Sequence, residues 1–178
     1  MTNYIIKNKN ISIDEIYEIV FKNKKLSLSK TVISNINKSR SFLEKKIRDE
    51  NKPFYGINTG FGDLHNVKIN NDSLEILQSN LLRSHACGTG EKVESNIVKL
   101  MMLLKIISLS KGFSGIRLET VERLLFFYNN NVFPVVYKYG SLGASGDLSP
   151  LSHMSLPIIG EGEVEYKGKV INSKKVLK

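Results

Sequence analysis

The chain has a single cysteine, Cys87, among its 178 residues. An internal disulfide is therefore excluded, and we expect Cys87 to be a small buried apolar side chain in a reducing compartment, not a catalytic thiol. Long apolar runs are also missing, because the best stretch, 100–107, is interrupted by Lys105 and is far shorter than the ~20 residues of a membrane span. The N-terminus lacks the basic and apolar regions of a secretory signal. These absences predict a cytoplasmic protein with no membrane partner.

Acidic residues are too few to balance the basic ones, and the formal net charge is +9. Such a charge is typical of nucleic-acid-binding domains. The lysines of the N-terminal third, however, alternate with apolar residues at helical spacing, as on a solvated helix face, and no helix-turn-helix, RNP or zinc-finger spacing is present. His65 and His153 lack a second ligand at zinc-like spacing. We therefore expect no nucleic-acid partner and no metal.

Apolar residues recur at helical spacing through most of the chain. Ser12 and Glu15 form a capping box before the first helix, and the apolar residues of 95–110 cover nearly all sides of their helix, which predicts burial on most sides. A sixth helix is capped by Asp147 or Ser149, and alternation after Gly162 predicts a short hairpin. The sequence thus predicts a mainly α fold with glycine-rich loops and a β-hairpin near the C-terminus. The first five helices are predicted over 13 to 22–25, 29–49, 72–86, 95–110 and 117–130.

Two further glycine-rich segments contain Gly60-Phe61-Gly62 and Gly88-Thr89-Gly90-Glu91-Lys92. Both are similar to phosphate-binding loops, but neither follows a convincing strand or completes a P-loop or dinucleotide pattern. We therefore expect no nucleotide cofactor.

The segment 140–150 contains the tripeptide Ala144-Ser145-Gly146, which has two interpretations. Glycine, serine and aspartate are common in tight turns before helices, so the segment fits a turn. The tripeptide can also react with itself: the Gly146 nitrogen attacks the Ala144 carbonyl, the ring loses water, and loss of the Ser145 hydroxyl leaves a methylidene. The product, 4-methylidene-imidazol-5-one, is an electrophile suited to covalent catalysis.

Four ordered segments resemble the aromatic amino acid ammonia-lyases, most closely the histidine-specific members. The resemblance covers nearly the whole chain and implies the N-terminal part of the fumarase/aspartase-like helical fold. It also implies that Ala144-Ser145-Gly146 cyclises to the methylidene-imidazolone cofactor. The four segments are Tyr55-Gly56-Ile57-Asn58-Thr59-Gly60-Phe61-Gly62, Asn80-Leu81-Leu82-Arg83-Ser84-His85-Ala86-Cys87-Gly88, Gly112-Phe113-Ser114-Gly115, and Gly140 through Pro150 with His153-Met154.

The resemblance implies roles for three further residues. Tyr55 matches the tyrosine regarded in the family as the base that removes the β-proton; a phenol has an ordinary pKa of about 10, so such a base must be activated by its site or substrate. Ser84-His85 matches a pair that tracks substrate choice and differs from the Phe-Leu and His-Leu pairs of the phenylalanine and tyrosine types. A neutral imidazole both donates and accepts, so His85 can pair with a substrate imidazole. Without the resemblance, Tyr55 fits a loop aromatic packed on the core, and His85 fits a helix-face histidine bonded to backbone.

The implied activity is elimination of ammonia from L-histidine to give trans-urocanate. Family members continue well beyond position 178 and form homotetramers in which several subunits build each active site. Residues 1–178 are therefore expected to be one partial unit, an N-terminal active-site domain with the start of a helical core, inactive alone and with the 95–110 helix partly uncovered. Two alternatives stay open: a tyrosine or phenylalanine ammonia-lyase or aminomutase with the same electrophile, and a non-catalytic remnant that only associates with a partner.

Overall fold

Helices dominate the part of the chain that the computed structural model describes, residues 2–140 and 148–177. The α-helices are α1 (Ile13–Phe21), α2 (Lys30–Asp49), α3 (Leu74–His85), α4 (Ser95–Ser110), α5 (Leu118–Asn129) and α6 (Leu148–Ser155). The strands are β1 (Asn3–Ile6), β2 (Lys25–Leu28), β3 (Thr89–Lys92), β4 (Phe133–Pro134), β5 (Tyr137–Tyr139), β6 (Glu163–Tyr166) and β7 (Lys169–Asn172). The mainly α prediction is confirmed.

Serine caps start the first two helices as their sequences predict. The Ser12 hydroxyl accepts from the Glu15 N–H while the Glu15 carboxylate accepts from the Ser12 N–H, so the capping box is complete. Ser29 caps α2 through the Val32 N–H at 3.3 Å. Pro150 lies in the first turn of α6, and Ser149 lies inside that helix, so Ser149 is not its cap.

The core lies between α4, α5 and the elements around them. Met102, Leu103 and Ile106 of α4 are fully buried, and so are Val121 and Phe127 of α5. On its other side α4 exposes Ile97 and Leu104, by 48% and 46%. This helix is therefore partly uncovered. Within the described ranges, no helix has the length and apolar character needed to cross a membrane.

A parallel pair of strands at the N-terminus was not apparent from the sequence. β1 pairs with β2 in register Asn3 to Lys25 through Ile6 to Leu28, with α1 as the crossover between them. The side chain of Asn129, at the end of α5, accepts from the Leu26 N–H at 2.7 Å and donates to the Leu26 carbonyl at 2.9 Å. This amide takes the place of a further strand and fixes the pair on α5.

The predicted hairpin is present as β6 and β7, and β4 adds to it as a third, antiparallel strand. Its turn residues Lys167 and Gly168 both have positive φ, at 51° and 72°, as a two-residue turn of type I′ requires. Strands β3 and β5 form a separate antiparallel pair, in which Thr89 lies opposite Tyr139. This second pair brings the chain before segment 141–147 next to the chain that follows α3.

The Gly112–Gly115 segment joins α4 to α5 and packs closely on α2. Gly115 donates its N–H to the Ser39 hydroxyl at 3.1 Å and accepts from Arg40 at 3.2 Å. A Cβ atom on Gly115 would lie 2.5 Å from Leu43, and its φ is +65°. Glycine is required here because the backbone approaches another helix in a left-handed conformation.

Candidate active site

A buried asparagine holds the loop that carries Tyr55. The Asn58 side chain accepts from the Phe54 N–H at 2.6 Å and donates to the Lys52 carbonyl at 3.1 Å, and it is fully buried. Thr59, also fully buried, accepts from the Gly56 N–H at 3.2 Å. These bonds satisfy backbone groups that a loop would otherwise leave unpaired, so the loop has a defined shape.

Helix α3 is hydrogen-bonded to this loop through the side chain of Gln78. Gln78 donates to the carbonyls of Gly56 and Ile57, at 3.2 and 3.0 Å. Gly56 has a φ of +68°, and a Cβ there would lie 2.9 Å from the Phe61 ring. The loop therefore folds back tightly on Phe61, and a side chain at position 56 would disturb both the turn and that contact.

Phe61 is the residue that brings the predicted site residues Tyr55 and His85 together. Its ring centroid lies 5.7 Å from that of Tyr55 and 5.5 Å from that of His85, the latter in an edge-on arrangement. Tyr55 is 64% exposed, so its phenol is open to a ligand and is not packed on the core. Phe61 itself was part of the glycine-rich motif but carried no predicted role.

The hydrogen bonds of His85 determine which ring nitrogen carries a proton. Its Nδ1 lies 2.8 Å from the Leu81 carbonyl oxygen, which can only accept, so Nδ1 carries the proton. In the neutral ring Nε2 is then an acceptor. The Ser84 hydroxyl donates to the same Leu81 carbonyl at 3.1 Å, and its oxygen, 3.1 Å from His85 Nδ1, is a second acceptor for the Nδ1 proton. Ser84 and His85 therefore both bond to backbone, as the plain helix-face interpretation predicts, while Nε2 stays available as an acceptor.

The chain just after α3 contacts both flanks of segment 141–147. The Cys87 thiol donates to the Gly140 carbonyl at 3.3 Å. The Gly88 N–H donates to His153 Nε2 at 2.8 Å, and the His153 ring meets Tyr137 edge-on at 5.2 Å. Burial lowers the pKa of His153, which favours the neutral ring that this acceptor role requires.

The prediction of a buried Cys87 is wrong, because the thiol is exposed. Cys87 follows the last turn of α3 at the molecular surface, where its partner is the carbonyl of Gly140. A Cβ on Gly140 would lie 2.5 Å from the Gly88 Cα, so the two backbones approach closely.

Ala144, Ser145 and Gly146 lie outside the described residues, as does the predicted cap Asp147. Histidines 65 and 153 both bond to backbone: His65 Nδ1 lies 3.0 Å from the Gly62 carbonyl. Over residues 2–140 and 148–177, no group of three or more His, Cys, Asp or Glu side chains is arranged to hold a metal ion.

Gln78 and Asn58 were not singled out from sequence, because an amide that bonds to distant backbone leaves no local pattern.

We expect Gly88→Ala to destabilise the fold by about 1–3 kcal/mol, because the new methyl would overpack the site. A Cβ at Gly88 would lie 2.8 Å from His153 Nε2 and 3.1 Å from the Tyr137 Cβ. Urea denaturation measures the change in the free energy of unfolding. The double variant Gly88→Ala/His153→Ala is the control. Removing the imidazole ring makes room for the new methyl, so the double variant should lose less free energy of unfolding than the two single variants lose together. Strictly additive costs would contradict this account.

Comparisons with known proteins identify the class of this fold. A histidine ammonia-lyase from Trypanosoma cruzi superposes with a TM-score of 0.83 at 34% identity, over 97% of this chain and 34% of that one. An ergothionase from Treponema denticola superposes with a TM-score of 0.91 at 29% identity, over 97% of this chain and 34% of that one. The histidine ammonia-lyase of Shewanella woodyi is 47% identical over 177 residues, which cover 99% of this chain and 34% of the relative.

The fold is thus that of ammonia-lyases and related enzymes, in their N-terminal part. The chain belongs to the aromatic amino acid lyase family, whose model matches residues 11–178. This membership confirms the family resemblance that the four sequence segments indicated. It spans about a third of the length of the curated relatives it matches.

Proposed function

We propose that this chain forms the N-terminal part of a histidine ammonia-lyase, which removes ammonia from L-histidine to give trans-urocanate. The observation that carries the proposal is the geometry at the C-terminal end of α3. His85 is linked there through one aromatic ring to Tyr55, and three residues later Gly88 bonds to His153, beyond segment 141–147. The proposed base, the proposed recognition residue and the residues that flank segment 141–147 are therefore all linked to this end of α3.

Cyclisation of Ala144-Ser145-Gly146 is part of this proposal. The residues present fit the group, because Gly140 and His153, on either side of the tripeptide, are both held against the chain after α3. When formed, the methylidene-imidazolone supplies an electrophile that binds the substrate amino group and makes it a better leaving group.

The chain's own residues bind the substrate and move its proton. The Nδ1–H of His85 donates a hydrogen bond to the Leu81 carbonyl, so Nε2 of His85 is an acceptor. This Nε2 accepts a hydrogen bond from the imidazole N–H of the substrate histidine. The exposed oxygen of Tyr55, activated as the phenolate, takes up the β-proton and so becomes the phenol. Phe61, which touches both rings, fixes the spacing between the recognition residue and the base.

The complete enzyme is proposed to act in histidine degradation as a cytoplasmic homotetramer, with residues 1–178 as its N-terminal active-site unit. Support comes from the family match and from the one third of each relative that this chain covers. We expect the isolated chain to be inactive.

A chimera tests the proposed function. The chain is joined to the remaining two thirds of the Shewanella woodyi enzyme, and the purified product is assayed for urocanate by its ultraviolet absorbance. Turnover of histidine in preference to phenylalanine and tyrosine supports the proposal. Preference for either other amino acid would identify a phenylalanine or tyrosine lyase, a β-amino acid product would identify an aminomutase, and a folded but inactive chimera would favour the non-catalytic remnant.

We expect His85→Leu in the chimera to lower kcat/KM for histidine roughly 10- to 100-fold, because it removes a hydrogen bond worth about 1–3 kcal/mol. Ser84→Ala is the comparison and should have the smaller effect: it removes an oxygen that contacts His85 Nδ1, but the bond from Nδ1 to the Leu81 carbonyl, which leaves Nε2 as the acceptor, remains. Steady-state kinetics with the three amino acids measures both. An unchanged preference for histidine in His85→Leu would remove His85 from substrate recognition.

A further inference from the structure

A cavity of about 200 Å³ opens where the C-terminal ends of α1 and α5 meet α4 and the start of β2. It shares no residue with the candidate active site. The consecutive residues Lys24 and Lys25 and the α4 residue Lys99 line it, together with one asparagine after α1 and three at the end of α5. The lining residues that matter here are Lys24, Lys25, Lys99, Asn23, Asn130 and Asn131.

Lys99 is the buried cation of this cavity. It belongs to α4 and is only 7% exposed, an unusual burial for an ammonium group. Its Nζ donates to Asn23 Oδ1, and to Asn131 Oδ1 at 3.3 Å, and lies 5.2 Å from the centroid of the Tyr128 ring. Within residues 2–140 and 148–177, no carboxylate is in ion-pair distance of Lys99. Its charge is therefore solvated by neutral groups and is not neutralised.

Two matching helix ends present these asparagines. Asn23 and Asn131 have positive φ, 54° and 52°, and each follows the cap residue of its helix. After Asn23, the Lys24 N–H bonds to the Ile19 carbonyl, and the equivalent bond after Asn131 closes the end of α5. Both are Schellman turns, which occupy terminal carbonyls of their helices. The negative ends of the two helices are thus partly satisfied before any ligand arrives.

Several of the remaining polar groups of the cavity are donors, whereas Asn130, whose NH₂ group donates to the Phe126 carbonyl, adds an acceptor oxygen. The amide oxygens of Asn23 and Asn131 are taken by Lys99, and the oxygen of Asn129 is taken by the Leu26 N–H. Lys24 is paired with Glu18, but in the described part of the chain Lys25 has no ion-pair partner. Two uncompensated ammonium groups and the amide NH₂ groups of Asn23 and Asn131 therefore border one small space.

We propose that this cavity binds a small, multiply charged oxyanion of the phosphate class, either free or as the phosphate group of a metabolite. Charge-assisted hydrogen bonds from Lys25 and Lys99, with amide donors beside them, are the interactions that such a ligand requires. Burial lowers the pKa of Lys99, and a bound anion would offset this effect. The site does not depend on the proposed lyase function.

Titration with inorganic phosphate tests the site in the 178-residue chain. Chemical shifts are followed by NMR at constant ionic strength, with chloride replaced stepwise by phosphate. The expected result is saturable shifts confined to the residues around the cavity. Sulfate and a phosphorylated sugar, titrated in the same way, distinguish a general oxyanion site from one that prefers a phosphate ester. A separate titration with sodium chloride gives the shifts caused by salt alone. Phosphate-induced shifts no larger than these would overturn the proposal.

A pair of charge-reversal variants makes the test specific. Lys25→Glu removes one cation at the cavity and should weaken phosphate binding roughly tenfold or more. Lys45→Glu makes the same change of net charge on the exposed face of α2 and should leave binding within about twofold. Lys99→Met, checked for folding by circular dichroism, should abolish binding. Equal losses in Lys25→Glu and Lys45→Glu would show a diffuse electrostatic effect and would refute the site.

Discussion

Replacing Ser145 with alanine is expected to abolish lyase activity in the chimera, because alanine has no hydroxyl to lose and the methylidene cannot form. The change should be visible without any assay of activity. Trypsin cleaves after Lys138 and Lys167, so the peptide 139–167 contains the whole tripeptide. In the unsubstituted protein we expect this peptide to lack two water molecules, and in Ser145→Ala to lose at most the one water of ring closure.

Ser141→Ala is the matched control, since it removes a hydroxyl from the same segment without touching the tripeptide. It should retain the loss of two waters. The same mass measurement on the isolated chain asks whether the segment matures without the rest of a lyase. If an active chimera contains the unmodified peptide, or if Ser145→Ala remains active, the assignment of the electrophile is wrong.

The helices were largely predictable from the sequence because their signals are local. Ser12, Glu15 and Ser29 act within one helical turn, and the apolar pattern of α4 gave the same bounds, 95–110, that the structure has. The parallel pair of β1 and β2 was not predictable in this way. Each strand has four residues, and the pair is completed by the Asn129 side chain about a hundred positions away.

In the candidate site, too, residues in local motifs were predictable and contacts between distant positions were not. Tyr55 and His85 were named because they lie in motifs that resemble a family, and the structure links them through Phe61. The contact between Gly88 and His153 joins positions 65 apart, so no local pattern marks it. The wrong prediction for Cys87 has a similar origin, since its contact with the Gly140 carbonyl joins positions 53 apart.

Tyr55→Phe should lower kcat of the chimera by roughly 10²- to 10⁴-fold, the usual effect of removing a positioned proton acceptor. KM should change little, because the phenylalanine ring keeps the contact with Phe61 and removes only the hydroxyl. Steady-state kinetics gives both values, and the mass of the peptide 139–167 shows whether the electrophile still forms. Loss of kcat with the two waters still missing places the defect in the chemical step and not in maturation.

Tyr139→Phe is the control for this substitution, since Tyr139 is a similarly exposed tyrosine, at 68% against 64% for Tyr55. It should keep kcat within about twofold, because it removes a hydroxyl at the flank of segment 141–147 without altering the proposed base. If Tyr139→Phe lost as much kcat as Tyr55→Phe, the loss in Tyr55→Phe would not show that Tyr55 is the base. A normal kcat in Tyr55→Phe would assign the base to another residue, and the position of Tyr55 beside Phe61 and His85 would then serve substrate packing alone.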